Sequence, residues 1–311
     1  MASDMETTGA PPIYYATKND HTDAMRLLLE HGANPNYVDT VSKYSTNESL
    51  LHLAASNGNG NADGVQLLID YGADVHIRDC FGNSPYTCVY GNGDVAAILL
   101  KNGSNPHEIP HYGGGSEPNM NGLHDAASDG NIEYAQLMLD YGIDINTSDK
   151  HCITPFHCAA KYNHVSMMEF LIDHGADMNA IEIDWGKHAM HIAACDGCID
   201  SMQWLLNHGI DVDIKDNGSH TSLHWASYHG KVDAVRFLIS KGTDVNSMNK
   251  YGENVLFDAA RSREQHREEI INILLDYGAV HVYKSKSCGP DPNEVIEDVI
   301  QSRRAKCIKK P

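Results

Sequence analysis

Eight glycines, Gly32, Gly72, Gly103, Gly142, Gly175, Gly209, Gly242 and Gly278, return along the chain, most of them shortly after an apolar triplet, at intervals of 40, 31, 39, 33, 34, 33 and 36 residues. A unit this short cannot enclose its own core, so a chain built from it must stack each copy on its neighbours. The stretch from Thr154 to Asn179 shows the unit most fully. Thr154 is an N-cap residue and Pro155 suits the first helical position, where its missing N–H costs nothing. Phe156, Ala159 and Ala160 give this first helix one large and two small apolar contacts, and Asn163 ends it. A second helix runs from Val165 through Phe170-Leu171-Ile172 and stops at Gly175, after which Ala176 to Asn179 leads out as an extended finger.

The Thr-Pro-Phe-His helix start, the paired alanines, the triplet and the glycine recur together over roughly Pro11 to Val282. That combination resembles the ankyrin repeat family. The resemblance implies an all-α repeat solenoid of about eight stacked helix-turn-helix units with extended β-turn fingers. It further implies a non-catalytic interaction module or scaffold that binds other proteins through its fingertips and concave face. The alternative is a substrate-recruiting adaptor of a larger complex, such as a ubiquitin ligase or signalling assembly, although the tail shows no clear ligase-recruiting box.

Charge narrows the partners. Residues 284–311 hold seven Lys/Arg and four Asp/Glu, a balance of +3, so the formal −19 of the whole chain leaves −22 on residues 1–283. An acidic body argues against a direct grip on nucleic acid or an anionic membrane. No run reaches the ~18 apolar residues of a membrane helix, and Met1 to Pro12 lacks the basic start and apolar core of a signal peptide. The eight cysteines show no disulfide spacing. A monomer inside the cell, in the cytoplasm first and the nucleus second, is the expectation.

The departures from the period divide the chain into a flexible N-terminus (1–10), a repeat domain (11–283) and a basic tail (284–311). Repeat one has Tyr14 in the histidine place and reads as a cap. The fingers at 37–48 and 104–121 are enlarged, the second by Gly113-Gly114-Gly115, which predicts flexibility. Asn57-Gly58-Asn59-Gly60-Asn61 is a widened helix-helix turn; with no strand before it, it is not a nucleotide loop. Repeat three, from Ser84 to Gly103, lacks the histidine and the alanine pair and should be the loosest unit. Repeats four to seven, starting at Leu123, Phe156, Met190 and Leu223, are the regular ones, and repeat eight carries Phe257 in the histidine place. One continuous stack is expected, followed by a short amphipathic helix bearing Val295, Ile296, Val299 and Ile300, which either docks on the last repeat or recruits a partner.

His188, His191, Cys195 and Cys198 form the best metal candidate, with C-x-x-C spacing. His191, however, holds the same repeat position as His52, His124, His157 and His224, where the resemblance implies local hydrogen bonds to backbone. No nucleophile elbow, catalytic-cysteine signature or framed carboxylate pair is present. The expectation is therefore no catalytic residue, no metal and no cofactor.

The resemblance places partner contacts at Lys150, His151, Lys161, Tyr162, Asp184, Trp185, Lys187, Asp196, Gly218, Tyr228, His229, Lys250, Tyr251 and Arg261. One fingertip column reads Phe81, His151, Trp185, Gly218, Tyr251. Rings on solvent-facing tips suit binding hot spots; the competing reading is that each ring folds back on the next finger. Asn179 and Asn246 sit in the pattern that an asparaginyl hydroxylase modifies in many ankyrin proteins.

Overall fold

The computed structural model describes residues 9–40, 46–56, 62–89, 92–108, 120–263, 265–282 and 292–308. It comprises two compact units, Met1–Lys150 and His151–Pro311. The N-terminal residues 1–8, the turn Asn57 to Asn61, residues 41–45 and 109–119 of the two enlarged fingers, and residues 283–291 and 309–311 lie outside the described residues.

The first unit pairs α1 (Pro12–Lys18) with α2 (Thr22–Glu30), α3 (Leu50–Ser56) with α4 (Ala62–Asp70), a short 3-10 turn (Pro85–Cys88) with α5 (Gly93–Lys101), and α6 (Gly122–Asp129) with α7 (Ile132–Asp140). Repeat three is the irregular one. Its Thr87 hydroxyl, in the histidine position, turns back to donate to the Ser84 carbonyl at 2.8 Å, and the helix ends after one turn.

The second unit pairs α8 (Pro155–Lys161) with α9 (Val165–Asp173), α10 (Ala189–Asp196) with α11 (Ile199–Asn207), α12 (Ser222–Tyr228) with α13 (Val232–Ser240), and α14 (Val255–Arg261) with α15 (Arg267–Asp276). Inner helices α8, α10, α12 and α14 pack in series because their contact faces are mostly small or apolar, with Ala159, Ala160, Ala193, Ala194, Ala226 and Ala259 all buried. The triplets bury their central leucines, Leu171, Leu205 and Leu238, completely. Gly175 and Asn163 take positive φ of 91° and 63° where the two helices end.

A last helix, α16 (Pro292–Ile308), lies on α14 and α15. Ile296 and Val299 are buried there, and the Arg303 guanidinium donates to the Asn272 carbonyl at 3.0 Å and pairs with Asp276. The described residues contain no sheet; isolated bridges Val38 to Ser49, Ile181 to His188 and Met248 to Asn254 close the necks of three fingers.

Candidate protein-binding surface

The fingers are positioned by the repeat histidines. In α8 the Thr154 N–H donates to His157 Nδ1 at 3.1 Å, which fixes the tautomer with the proton on Nε2, and Nε2 then donates to the Ala180 carbonyl at 3.0 Å. His191 repeats this between the His188 N–H (3.0 Å) and the Ile214 carbonyl (3.0 Å), and His52 does so in the first unit between Ser49 and Asn83. Each of these histidines thus joins a helix start to the finger that follows it. Burial pulls His191 down to about 4 and, with the neighbouring His220 charge, His224 down to about 3, so both are neutral near pH 7.

A side chain at the neck holds each fingertip turn. Asp79 accepts from the N–H groups of Phe81 and Asn83 (2.8 Å each), Asp216 from Gly218 (2.7 Å) and His220 (2.8 Å), and Asn249 from Tyr251 (2.9 Å) and Glu253 (3.1 Å). The finger bearing Trp185 is one residue longer between neck and cap, and it uses Glu182, one methylene longer than aspartate. Buried Glu182 accepts from Asp184 (2.9 Å), Trp185 (2.8 Å) and Lys187 (3.3 Å). The extra residue lifts Trp185 onto the tip. Gly186 follows at φ +67°, and a Cβ there would meet the Asn217 side chain at 2.4 Å, so the turn requires glycine.

Backbone rungs join the tips within the second unit: Ile183 N–H to the His151 carbonyl (2.9 Å), Asn217 N–H to Trp185 (2.8 Å) and Lys250 N–H to Gly218 (2.8 Å). His151 Nδ1 also lies 3.0 Å from the Asp184 carboxylate. His151, Trp185, Gly218 and Tyr251 are therefore neighbours along one edge, while Phe81, exposed, belongs to the first unit, as does exposed Lys150. Lys161 and Tyr162 form a pair at the end of α8, Nζ 5.1 Å from the ring centroid. Lys250 does the same over Tyr251 at 5.3 Å.

Trp185 is half exposed and meets the Trp225 ring edge-on, centroids 5.8 Å apart. Beneath it is a pocket of about 410 Å³ whose wall includes Trp185, Lys187, Trp225, Tyr228, Tyr251 and Asp258. Lys187 Nζ lies 4.7 Å from the Trp225 centroid, and the His229 ring is nearly parallel to the Trp225 ring at 6.1 Å. Burial pushes the Asp216 carboxyl up, but hydrogen bonds from His220 and Trp225 outweigh it and hold the group below the usual carboxylate range. Burial pushes Asp258 up to about 7 against the pull of His220 and Arg261.

The profile of a family described as "Ankyrin repeats (3 copies)" matches residues 2–79, 51–149, 123–216 and 190–285. The chain belongs to the ankyrin repeat family. It is 22% identical over 242 residues to an ankyrin repeat protein of variola virus, OPG189, covering 68% of this chain and 41% of that one. It is 30% identical over 153 residues to the potassium channel AKT2/3 of Arabidopsis thaliana, 49% of this chain and 17% of the channel. The chain thus spans less than half the length of either relative. In fold it is similar to the crystal structure of the human ASB11 ankyrin repeat domain, with a TM-score of 0.61 at 20% identity over 76% of this chain and 99% of that one.

Within the ankyrin frame the His/Cys set has other work. Both nitrogens of His191 are engaged, His188 Nδ1 accepts from the Met190 N–H (3.1 Å), and Cys198 Sγ donates to the Lys161 carbonyl (2.8 Å). Burial pushes Cys195 up to about 12 and Cys198 up to about 11, which keeps both as thiols. Among the described residues no group of three or more His, Cys, Asp or Glu could hold a metal ion. Of the two hydroxylation candidates, Asn179 is exposed, whereas Asn246 spends its carboxamide on the next finger, donating to the Gly278 carbonyl (3.1 Å) and accepting from the Val280 N–H (2.8 Å). Sequence reasoning missed Glu182, Asp216 and Trp225. The repeated acid or amide five or six residues before each cap was the signal that could have found the first two.

Proposed function

We propose that the second unit is a non-catalytic protein-binding module whose contact surface is the tip edge His151, Trp185, Gly218, Tyr251 together with Lys187, Tyr228 and His229 on the concave side. Ankyrin repeats are generally interaction modules, and the observation that carries the reading here is Trp185: a large ring held at the tip by a finger lengthened for it, with a buried carboxylate fixing three of the loop's N–H groups. An ordered, half-exposed indole loses little entropy on binding and removes much apolar area from water. Lys161, Tyr162 and Asp184 extend the same surface and Lys250 is a secondary contact on it, while Phe81 and Lys150 are separate candidate contacts on the first unit. The protein acts inside the cell as a monomer, and Asn179 is the better hydroxylation substrate of the two asparagines.

Affinity purification of wild type beside Trp185→Ala and Tyr251→Ala tests this. Loss of captured proteins with unchanged circular dichroism is expected; capture unaltered in both variants places the surface elsewhere. The adaptor reading adds a second partner on the exposed side of α16, where Glu294, Asp298 and Arg304 face solvent. Charge reversal at these three removes that partner alone if the chain bridges two proteins.

A further inference from the structure

The pocket beneath Trp185 has an unusual mixture of walls. Three carboxylates line or underlie it, and two are fully committed. Glu253 is forked onto Arg261, with N–O distances of 2.7 and 2.6 Å. Asp216 is filled by the backbone N–H groups of its own finger, the His220 imidazole (3.2 Å) and the Trp225 indole (3.0 Å). Asp258 differs: it is only 7% exposed, it lines the pocket, and its Oδ2 has no hydrogen-bond partner among the described residues. The rings of Trp185, Trp225, Tyr228 and Tyr251 line the same pocket. One cation already rests on them, the Lys187 ammonium 4.7 Å from the Trp225 centroid. Lys187 is half-buried on a flexible stem and can swing aside at small cost.

The chemistry of an occupant follows from these walls. An apolar side chain would cover the rings but leave the buried Asp258 Oδ2 without a donor, so it gains nothing from that group. An anion would meet that carboxyl and the −22 charge of residues 1–283. A guanidinium is flat, stacks on aromatic faces, and carries five donors and no acceptor, so it satisfies an orphaned carboxylate oxygen and leaves no new orphan acceptor behind. We propose that this pocket receives an arginine side chain from a basic segment of a partner protein, its guanidinium among the four rings and hydrogen-bonded to Asp258. The inference rests on the reading of this face as a protein-binding surface and adds the residue that the surface selects.

The test uses the full chain labelled with nitrogen-15 and the peptide acetyl-Gly-Ser-Arg-Ser-Gly-amide, beside the same peptide with citrulline, which keeps the shape and removes the charge. Only three indole N–H signals exist, from Trp185, Trp204 and Trp225, and Trp204 lies outside the pocket lining, so it serves as the internal reference. Saturable shifts of Trp185 and Trp225, at least about tenfold weaker binding of the citrulline peptide, and a loss of about tenfold in Asp258→Asn are expected. Equal affinity for the two peptides, an unaltered affinity in Asp258→Asn, or no shift up to about 10 mM peptide overturns the proposal. Should the peptide fail while Trp185→Ala still abolishes partner capture, the surface stands and only its arginine selectivity is lost.

Discussion

The Trp225 indole N–H donates to Asp216 Oδ2 at 3.0 Å, and through this bond one carboxylate serves both a fingertip and the concave face. The Asp216 side chain is wholly enclosed. Removing it leaves the Gly218, His220 and Trp225 donors to find other partners. Asp216→Ala is therefore expected to cost about 2 to 4 kcal/mol. Urea unfolding followed by tryptophan fluorescence measures this, and because all three tryptophans lie in the second unit the signal is specific to it. A loss below ~1 kcal/mol would show that water replaces the carboxylate without penalty.

Gly186→Ala should destabilise the Trp185 finger. The new methyl must displace the Asn217 side chain, and alanine is strained at φ +67°. A cost of about 1 to 3 kcal/mol is expected, with a shifted Trp185 indole signal; an unshifted signal and unchanged urea midpoint refute the assignment of this glycine to the turn.

Leu171→Ala empties a site with no solvent exposure between α8, α9 and their neighbours, at an expected cost of about 2 to 5 kcal/mol. Chemical denaturation giving less than ~1 kcal/mol would mean that the stack collapses onto the cavity.

Stability of the second unit should pass through a maximum near pH 6.5. His191 and His224 have folded values of about 4 and about 3 against an ordinary 6.5, so below that pH the unfolded chain takes protons that the folded chain refuses. Stability falls as the pH drops towards 4. Asp258 works the other way: raised from 3.8 to about 7, its folded form holds a proton that the unfolded chain releases, and stability falls as pH rises from about 4 through 7. His188, also pulled down by burial, joins these two histidines in outweighing the one aspartate below 6.5; above it the aspartate and His220 turn the slope, His220 being raised, after the opposing pull of burial, by its contact with Asp216. Each group contributes a slope of about 1.4 kcal/mol per pH unit. Asp258→Asn should remove much of the alkaline fall and stabilise the chain at pH 8 by about 1 to 4 kcal/mol, while weakening the arginine peptide. A wild-type urea midpoint that climbs steadily from pH 5 to 8 contradicts this balance.

The helix pairs were legible because each is specified locally. Thr154, Pro155, His157 and the two alanines state a cap, a start and a contact face within seven residues, and the same grammar recurs at His188 and Thr221. Repeat three departs where its sequence departs: Thr87 cannot reach the next finger as a histidine does, and the helix shortens to one turn. The tip residues could be placed from the fingers alone. Their support could not, since Glu182, Asp216 and Trp225 acquire their roles only when turns fold back and adjacent repeats meet. Asp258 was hidden for the same reason, its burial being set by α12 and the following helices and not by its neighbours in sequence.

The histidine bond from a helix start to the next finger, 23 residues on at both His157 and His191, bears on how such a chain can change length. Duplicating or deleting a whole period leaves imidazoles such as those of His157 and His191 opposite a matching carbonyl. A change by part of a period strands a buried imidazole N–H instead, so growth and loss in complete multiples is the route this architecture leaves open to evolution, and the natural place to cut or splice when arrays of new length are built.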